Sequence, residues 1–273
     1  GRALAARACE RGLSHRALGH AECDTTDPTA VAGAIEGARF VVNCAAYTAV
    51  DRAEIEADAA YRVNAAGAEN VAVACAKFGI PLLHMSTDYV FGGENAKPAR
   101  EDDPTGPLNV YGRSKLAGEI AIRKCLSSHI ILRTSWIFSA YGRNFLTTIL
   151  GLAREHPRIR VVNDQIGGPT PADDVADAIL DIVGRTGKAE FSDWGIYNFS
   201  GIPPVSRCEF AAAILARSRV EVVPVATRDY PSAAQRPLSS VLDCSRIFQV
   251  FKIQQPDWRV KVPAALAAMM TRT

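Results

Sequence analysis

Apolar positions along the chain switch between helical spacing and short continuous runs. Residues 1–11 place Leu4, Ala5, Ala8 and Cys9 at helical spacing before Gly12, which predicts a helix. Residues 14–18 read as a weak strand. Asp24-Thr25-Thr26-Asp27-Pro28 reads as a turn and helix start, with a short helix over 31–35. Residues 40–46 form an apolar run ending in small side chains. That pattern predicts a buried parallel strand whose carboxyl end admits a close neighbour. Residues 57–78 predict one long amphipathic helix, stopped by Gly79-Ile80-Pro81. The run 80–83 is a buried strand, and Gly92-Gly93-Glu94-Asn95 opens a polar stretch reaching Pro107.

The alternation continues. A helix starts near Tyr111, a strand spans 129–134, and Asn144-Phe145 opens a helix through 155. Strands follow at 160–165, 195–199 and 220–225, the last marked as an edge by Pro224. Helices lie at 175–183 and 206–217, the second capped by Ser206. Residues 235–243 form a loop leading to terminal helices. Strand–helix alternation predicts an α/β fold with a doubly wound parallel sheet. The irregular final third predicts a small C-terminal lobe against the sheet's carboxyl edge. The expected division is 1–156 with 172–198 for the sheet domain, and 157–171 with 199–273 for the lobe, with the site in the cleft between them.

A doubly wound fold normally begins with an apolar strand and a Gly-rich turn. Here the first predicted element is already a helix. The strand and the earlier glycines are expected upstream, with Gly1 as the last glycine of the turn.

Composition adds little to this picture. The 273 residues are 48% hydrophobic and 22% charged, with net charge +2, an ordinary globular balance. Lys and Arg are scattered, which gives no argument for nucleic acid. No apolar run approaches the ~18–20 residues of a membrane span. The seven cysteines form no C-x-x-C pair and the five histidines do not cluster. Free thiols in the cytoplasm are expected, and no metal site. The acidic loop at Glu101-Asp102-Asp103 reads as solvated.

The candidate chemistry sits in two stretches. Met85-Ser86-Thr87-Asp88-Tyr89-Val90-Phe91 follows the strand beginning at Ile80, and Tyr111-Gly112-Arg113-Ser114-Lys115 opens a helix. Tyr and Lys four apart share one helix face. A lysine beside a phenol favours the phenolate and is expected to lower the Tyr111 pKa, making it a usable acid or base. Thr87, at a strand's carboxyl end, can complete the site. Ser135-Trp136 ends the 129–134 strand, where Trp136 can cover a sugar face or pack in the core. Gly19-His20-Ala21 gives no clear sign of cofactor preference.

These stretches resemble the extended short-chain dehydrogenase/reductase superfamily, which implies a Rossmann-type fold. The blocks Asn43-Cys44-Ala45-Ala46-Tyr47-Thr48-Ala49-Val50-Asp51, Ser86 to Phe91, Pro107-Leu108-Asn109-Val110-Tyr111, Arg133-Thr134-Ser135-Trp136, Val162-Asn163-Asp164-Gln165 and Arg236-Pro237 occur in order. Together they resemble the dTDP-4-dehydrorhamnose reductase family. That resemblance implies NADPH or NADH as hydride source and a keto nucleotide sugar as the small-molecule substrate. It implies Tyr111 as proton donor, Lys115 on the nicotinamide ribose and Thr87 on the reacting oxygen. It further implies Gly1, Asp24, Thr25, Ala45, Ala46 and Tyr47 at the cofactor. Asp88, Trp136, Asn144 and Arg236 fall at the substrate, Arg236 on its diphosphate. A homodimer is compatible with it. Alternative readings are a dinucleotide-binding regulatory subunit like the beta subunit of methionine adenosyltransferase, a ketoreductase for another deoxysugar, and an epimerase or dehydratase of the superfamily. The dehydratase lacks its acidic pair, because Tyr89 follows Asp88.

Overall fold

In the computed structural model, residues 1–93, 97–187 and 190–270 are described; the expected polar turn at Glu94-Asn95 lies outside them. Helix α1 spans Arg2–Glu10 and α2 spans Pro28–Ile35, capped by the Asp27 carboxylate on the Thr29 and Ala30 amides. Strand β1 is Val41–Asn43. Short helices α3, Val50–Ala53, and α4, Ala57–Tyr61, precede α5, Gly67–Phe78. Strand β2 is Leu82–Thr87, helix α6 is Val110–Cys125, and β3 is His129–Thr134. Then come β4 (Ile137–Phe138), α7 (Phe145–Glu155), β5 (Arg158–Val162), β6 (Ile166–Gly167) and β7 (Thr170–Pro171). Helix α8 is Ala172–Thr186 and β8 is Gly195–Phe199. The chain ends with β9 (Val205–Ser206), α9 (Arg207–Ile214), β10 (Glu221–Val225), α10 (Ser245–Phe251) and α11 (Trp258–Met270).

The main sheet runs β1-β2-β3-β8, with all pairs parallel. Crossover helices cover both faces, so β2 and β3 are buried on both sides, apolar in their first halves and polar towards their carboxyl ends. One core gathers Leu83, Leu132, Ile179 and Tyr197; another, on the opposite face, gathers Val71, Leu82, Ile122 and Ile131. A separate cluster joins Phe138, Leu146, Ile159, Phe210 and Trp258. Beside it β10 pairs with β5 in parallel. No described helix is long and apolar enough to cross a membrane.

Three sequence expectations change. Residues 14–18 form no strand and lie exposed. A strand needs a paired neighbour to satisfy its backbone, and among the described residues none lies beside them. The predicted strand 40–46 contracts to Val41–Asn43, with Val41 and Val42 only half-buried, because just one of its edges is paired. The predicted helix 57–78 runs uninterrupted but contains a π turn at Arg62–Ala66. That turn carries buried Asn64, whose side chain holds the Tyr47 amide and carbonyl at 2.8 and 3.1 Å and reaches Ser114 Oγ at 2.9 Å. A π turn at such a junction is a common functional device.

Candidate active site

Helix α6 is set against the sheet's carboxyl edge by its cap and by two glycines. The Asn109 side chain accepts from the Gly112 amide at 2.8 Å and donates to the Gln235 carbonyl at 2.8 Å, while Glu54 accepts from the Val110 amide. A Cβ on Gly112 would lie 2.2 Å from the Tyr89 carbonyl oxygen. One on Gly118 would lie 2.1 Å from that of Asn64. Only glycine permits this approach. Tyr111, Lys115 and Glu119 then line one face of α6, one turn apart.

Each of the three meets β2. The Tyr111 phenol faces the Thr87 hydroxyl, which favours its ionised form. The Thr87 hydroxyl donates to Asp88 Oδ1 at 2.9 Å and caps the Tyr89 amide at 3.2 Å. Lys115 Nζ donates to the Met85 carbonyl at 2.7 Å and lies 3.0 Å from His84 Nε2. Glu119 accepts from Ser86 and forms a buried ion pair with Arg133 at 2.7 Å. The expected lysine effect on the tyrosine is corrected here. Burial drives the Tyr111 pKa up, against the Thr87 hydroxyl, with the Asp88 charge adding to the rise. Lys115 Nζ is directed at His84 and the Met85 carbonyl instead.

Asp88 is 3% exposed, and burial pushes its carboxyl up to about 6, partly offset by hydrogen bonds from Ser240 and Thr87. Its Oδ2 has no partner, and neither does the Thr134 hydroxyl at the end of β3. Orphaned buried polar atoms at the carboxyl end of parallel strands fit a ligand-binding edge.

Trp136 takes a positive φ of 45°, rare for a bulky side chain. Its indole N–H donates to Ser240 Oγ at 3.1 Å. The ring packs on Gly167, where a Cβ would lie 2.4 Å from it. The Arg207 guanidinium stacks 3.5 Å from the ring centroid. Trp136 therefore stands at the site with one face covered by an arginine that sequence reading missed. Tyr89, which Arg207 and Arg236 both face, packs its ring edge-on to Tyr111 at 6.0 Å. Arg236 also pairs with Asp51 at 2.7 Å. The one signal for Arg207 in the sequence is its place directly after the capping Ser206.

Thr87, Asp88, Tyr111, Trp136 and Arg236 thus converge, with Lys115 one turn below Tyr111. The Asn144 side chain caps α7 on the Thr147 amide and donates to the Ser139 carbonyl at 2.9 Å. Ala45, Ala46 and Tyr47 lie on the loop after β1, fixed by Asn43 on the Ala45 amide and Asn64 on Tyr47. Asp24 bonds the Thr26 amide, and the Thr25 carbonyl accepts from Asn70 on α5. Gly1 is exposed at the start of α1. Among the described residues no hydrogen bond or ion pair joins these three to Tyr111 or Thr87.

The model of the RmlD substrate binding domain family matches residues 1–271. A dTDP-4-dehydrorhamnose reductase of Aggregatibacter actinomycetemcomitans is 41% identical over 270 residues, covering 95% of this chain and 92% of its own. The chain belongs to the dTDP-4-dehydrorhamnose reductase family. The Mycolicibacterium smegmatis reductase of that name is 38% identical over 278 residues, covering 100% of this chain and 84% of its own. Among solved structures, the Bacillus anthracis dTDP-4-dehydrorhamnose reductase in complex with NADP superposes with a TM-score of 0.90 at 33% identity, covering 98% of this chain and 95% of that one.

Proposed function

We propose that this chain reduces the C4 keto group of dTDP-4-dehydro-L-rhamnose to the hydroxyl of dTDP-L-rhamnose, using NADPH or NADH. The observation that carries the reading is the setting of Tyr111 and Lys115, one turn apart on α6, against the carboxyl end of β2, where Lys115 binds the Met85 carbonyl and Thr87 ends the strand, in a chain of this family. A bound reduced nicotinamide supplies the hydride for the C4 carbon.

The chain's own residues do the rest. Thr87 turns its hydroxyl from Asp88 to the keto oxygen and holds it beside Tyr111. Tyr111, kept as a phenol by its raised pKa, gives its proton to the oxygen as negative charge develops there. Lys115 reaches the nicotinamide ribose from the floor of the site, and the loop Ala45-Ala46-Tyr47 lies against the dinucleotide. Asp88 and Trp136 contact the sugar, and Arg236 takes a diphosphate oxygen with its planar fork. Asp24 and Thr25, with Gly1, serve the adenosine end. The sheet domain carries the dinucleotide and the lobe of 157–171 and 199–273 the sugar nucleotide. The reading includes a cytoplasmic enzyme and a homodimer.

The test is loss of reduced-nicotinamide absorbance with enzymatically made dTDP-4-dehydro-L-rhamnose. Turnover with either dinucleotide is expected. A protein that binds dinucleotide tightly yet turns over no keto nucleotide sugar would instead be a regulatory subunit.

A further inference from the structure

A buried line of hydrogen bonds runs beneath Tyr111. The Ala45 amide donates to Asn43 Oδ1 at 3.0 Å. Asn43 Nδ2 lies 3.2 Å from His84 Nδ1, and His84 Nε2 lies 3.0 Å from Lys115 Nζ. Lys115 Nζ then donates to the Met85 carbonyl at 2.7 Å. Asn43, His84 and Lys115 are 6%, 1% and 1% exposed, so water is no alternative partner for any of them.

Counting protons gives the line a direction. A backbone N–H can only donate, so it fixes the Asn43 oxygen on Ala45 and turns the amide NH₂ toward His84. His84 Nδ1 is then the bare nitrogen, and Nε2 carries the ring proton. That N–H points at Lys115 Nζ, which can accept it only as an amine with a lone pair. An ammonium has three donors and no acceptor. It would force the ring proton onto Nδ1, against the Asn43 NH₂. A doubly protonated ring would add a second charge beside the first in a dry site. An amine leaves every member of the line matched, and an ammonium leaves one donor facing another.

The groups around Lys115 compensate weakly. Glu119 and Tyr111 flank it on α6, Cys44 faces it from the loop after β1, and His84 from β2. Glu119 is already bound to Arg133 and Ser86. Burial lowers the Lys115 pKa to about 8, against the pull of Glu119 and Cys44. Burial and then the Lys115 charge hold His84 well below its ordinary value, so the imidazole stays neutral.

We propose that Asn43 and His84 are positioning residues that set the protonation of Lys115, making it a titrating group of the site and not a fixed cation. Negative charge arriving at the site, from a bound dinucleotide or a Tyr111 phenolate, draws a proton onto it. The meaning of this for turnover rests on the proposed reduction; the line itself is testable without substrate or dinucleotide.

The experiment is a pH titration of ¹⁵N-labelled lysine Nζ resonances in the unliganded protein. Lys115 is expected to titrate near 8, about two units below an exposed lysine, which sets its signal apart without any variant. Asn43→Asp keeps the shape but offers His84 Nδ1 an acceptor, which reverses the line and raises the Lys115 midpoint by about one unit or more. Repeating that change in a His84→Leu background removes the relay and leaves only the through-space effect of the new charge, a smaller shift. The acidic-to-alkaline midpoint of turnover moves with the Lys115 midpoint in Asn43→Asp. A wild-type midpoint equal to that of an exposed lysine overturns the proposal. So does an Asn43→Asp shift of the same size with and without His84.

Discussion

Asp51 and Arg236, 185 residues apart in the chain, form a two-pronged ion pair with contacts of 3.1 and 2.7 Å. Asp51 also accepts from the Ala234 amide at 3.1 Å. One carboxylate therefore fixes both the backbone and the guanidinium of the loop that brings Arg236 to Tyr89. The arginine is 21% exposed in its side chain and the aspartate 49%. A pair this open contributes only about 0–1 kcal/mol to stability. Its consequence is positional. Asp51→Ala is expected to leave the melting temperature nearly unchanged and to raise KM for the nucleotide sugar on the order of 10-fold, ~1.4 kcal/mol. Dinucleotide affinity should stay as in the parent. Steady-state kinetics with each substrate varied separately checks this, and an equal loss for both would show that Asp51 supports the whole site.

Tyr111→Phe removes the proton donor and keeps the ring that packs on Tyr89. Turnover should fall by about 10²–10⁴-fold, with dinucleotide binding retained by calorimetry. Thr87→Val, which loses the hydroxyl partner but keeps the strand, should fall by a smaller factor. The raised Tyr111 pKa has its own signature. The phenol stays protonated through ~10, its ordinary value, so no loss of turnover below that pH belongs to Tyr111. Substantial activity in Tyr111→Phe would move the proton donor elsewhere.

Asp88 gives a prediction in which stability and activity part. Its folded pKa, about 6, lies above the ~3.9 of an unfolded aspartate. Between those values the folded state binds more protons than the unfolded one, so stability falls as pH rises through that window. Above it the cost is fully present, at most about 3 kcal/mol for two units. Asp88→Asn should therefore melt higher than the parent at neutral pH and lose the slope of melting temperature between about pH 4 and 6. Turnover should drop, because the carboxylate is the proposed sugar contact. Thermal unfolding across that range decides it: a variant less stable than the parent at neutral pH would mean that the Thr87 and Ser240 hydrogen bonds outweigh the burial of charge.

Legibility in the sequence followed distance along the chain. Thr87 and Asp88 end an apolar run, and Tyr111 and Lys115 are one turn apart, so each pair is local and was visible. The parallel sheet was legible from the alternation of strands and helices, but its order came only with the structure. Asn144 announced its structural role too, since Asn followed by Thr147 three residues on can cap a helix reciprocally. The π turn at Arg62–Ala66 was hidden, because one extra residue merely shifts the phase of a long amphipathic pattern. Arg207 was hidden because its partners, Trp136 and Tyr89, lie on distant strands' ends. The direction of Lys115 was hidden as well. Helix spacing places it beside Tyr111, but only the sheet puts His84 and the Met85 carbonyl beneath its Nζ.

The two glycines of α6 separate stability from catalysis. An alanine in place of a mid-helix glycine ordinarily gains about 1 kcal/mol. Here neither position has room: the added carbon would meet the Tyr89 carbonyl from Gly112 and the Asn64 carbonyl from Gly118, each close to 2 Å. Backbone cannot step aside as a flexible side chain does, so both changes should destabilise, by about 1–3 kcal/mol. They differ in what moves. Gly118→Ala pushes α6 from the π turn, a turn beyond Lys115, and turnover per folded molecule should change little. Gly112→Ala lifts the helix from Tyr89 beside Tyr111 itself, and misplacing a reacting group by ~1 Å can cost 10²-fold. Turnover per folded molecule should accordingly fall on the order of 10–100-fold in Gly112→Ala. Thermal melts give the folded fraction and stopped assays the turnover. If Gly112→Ala instead proves more stable than the parent, α6 does not press on the Tyr89 carbonyl, and the close seating of Tyr111 against Thr87 loses its structural cause.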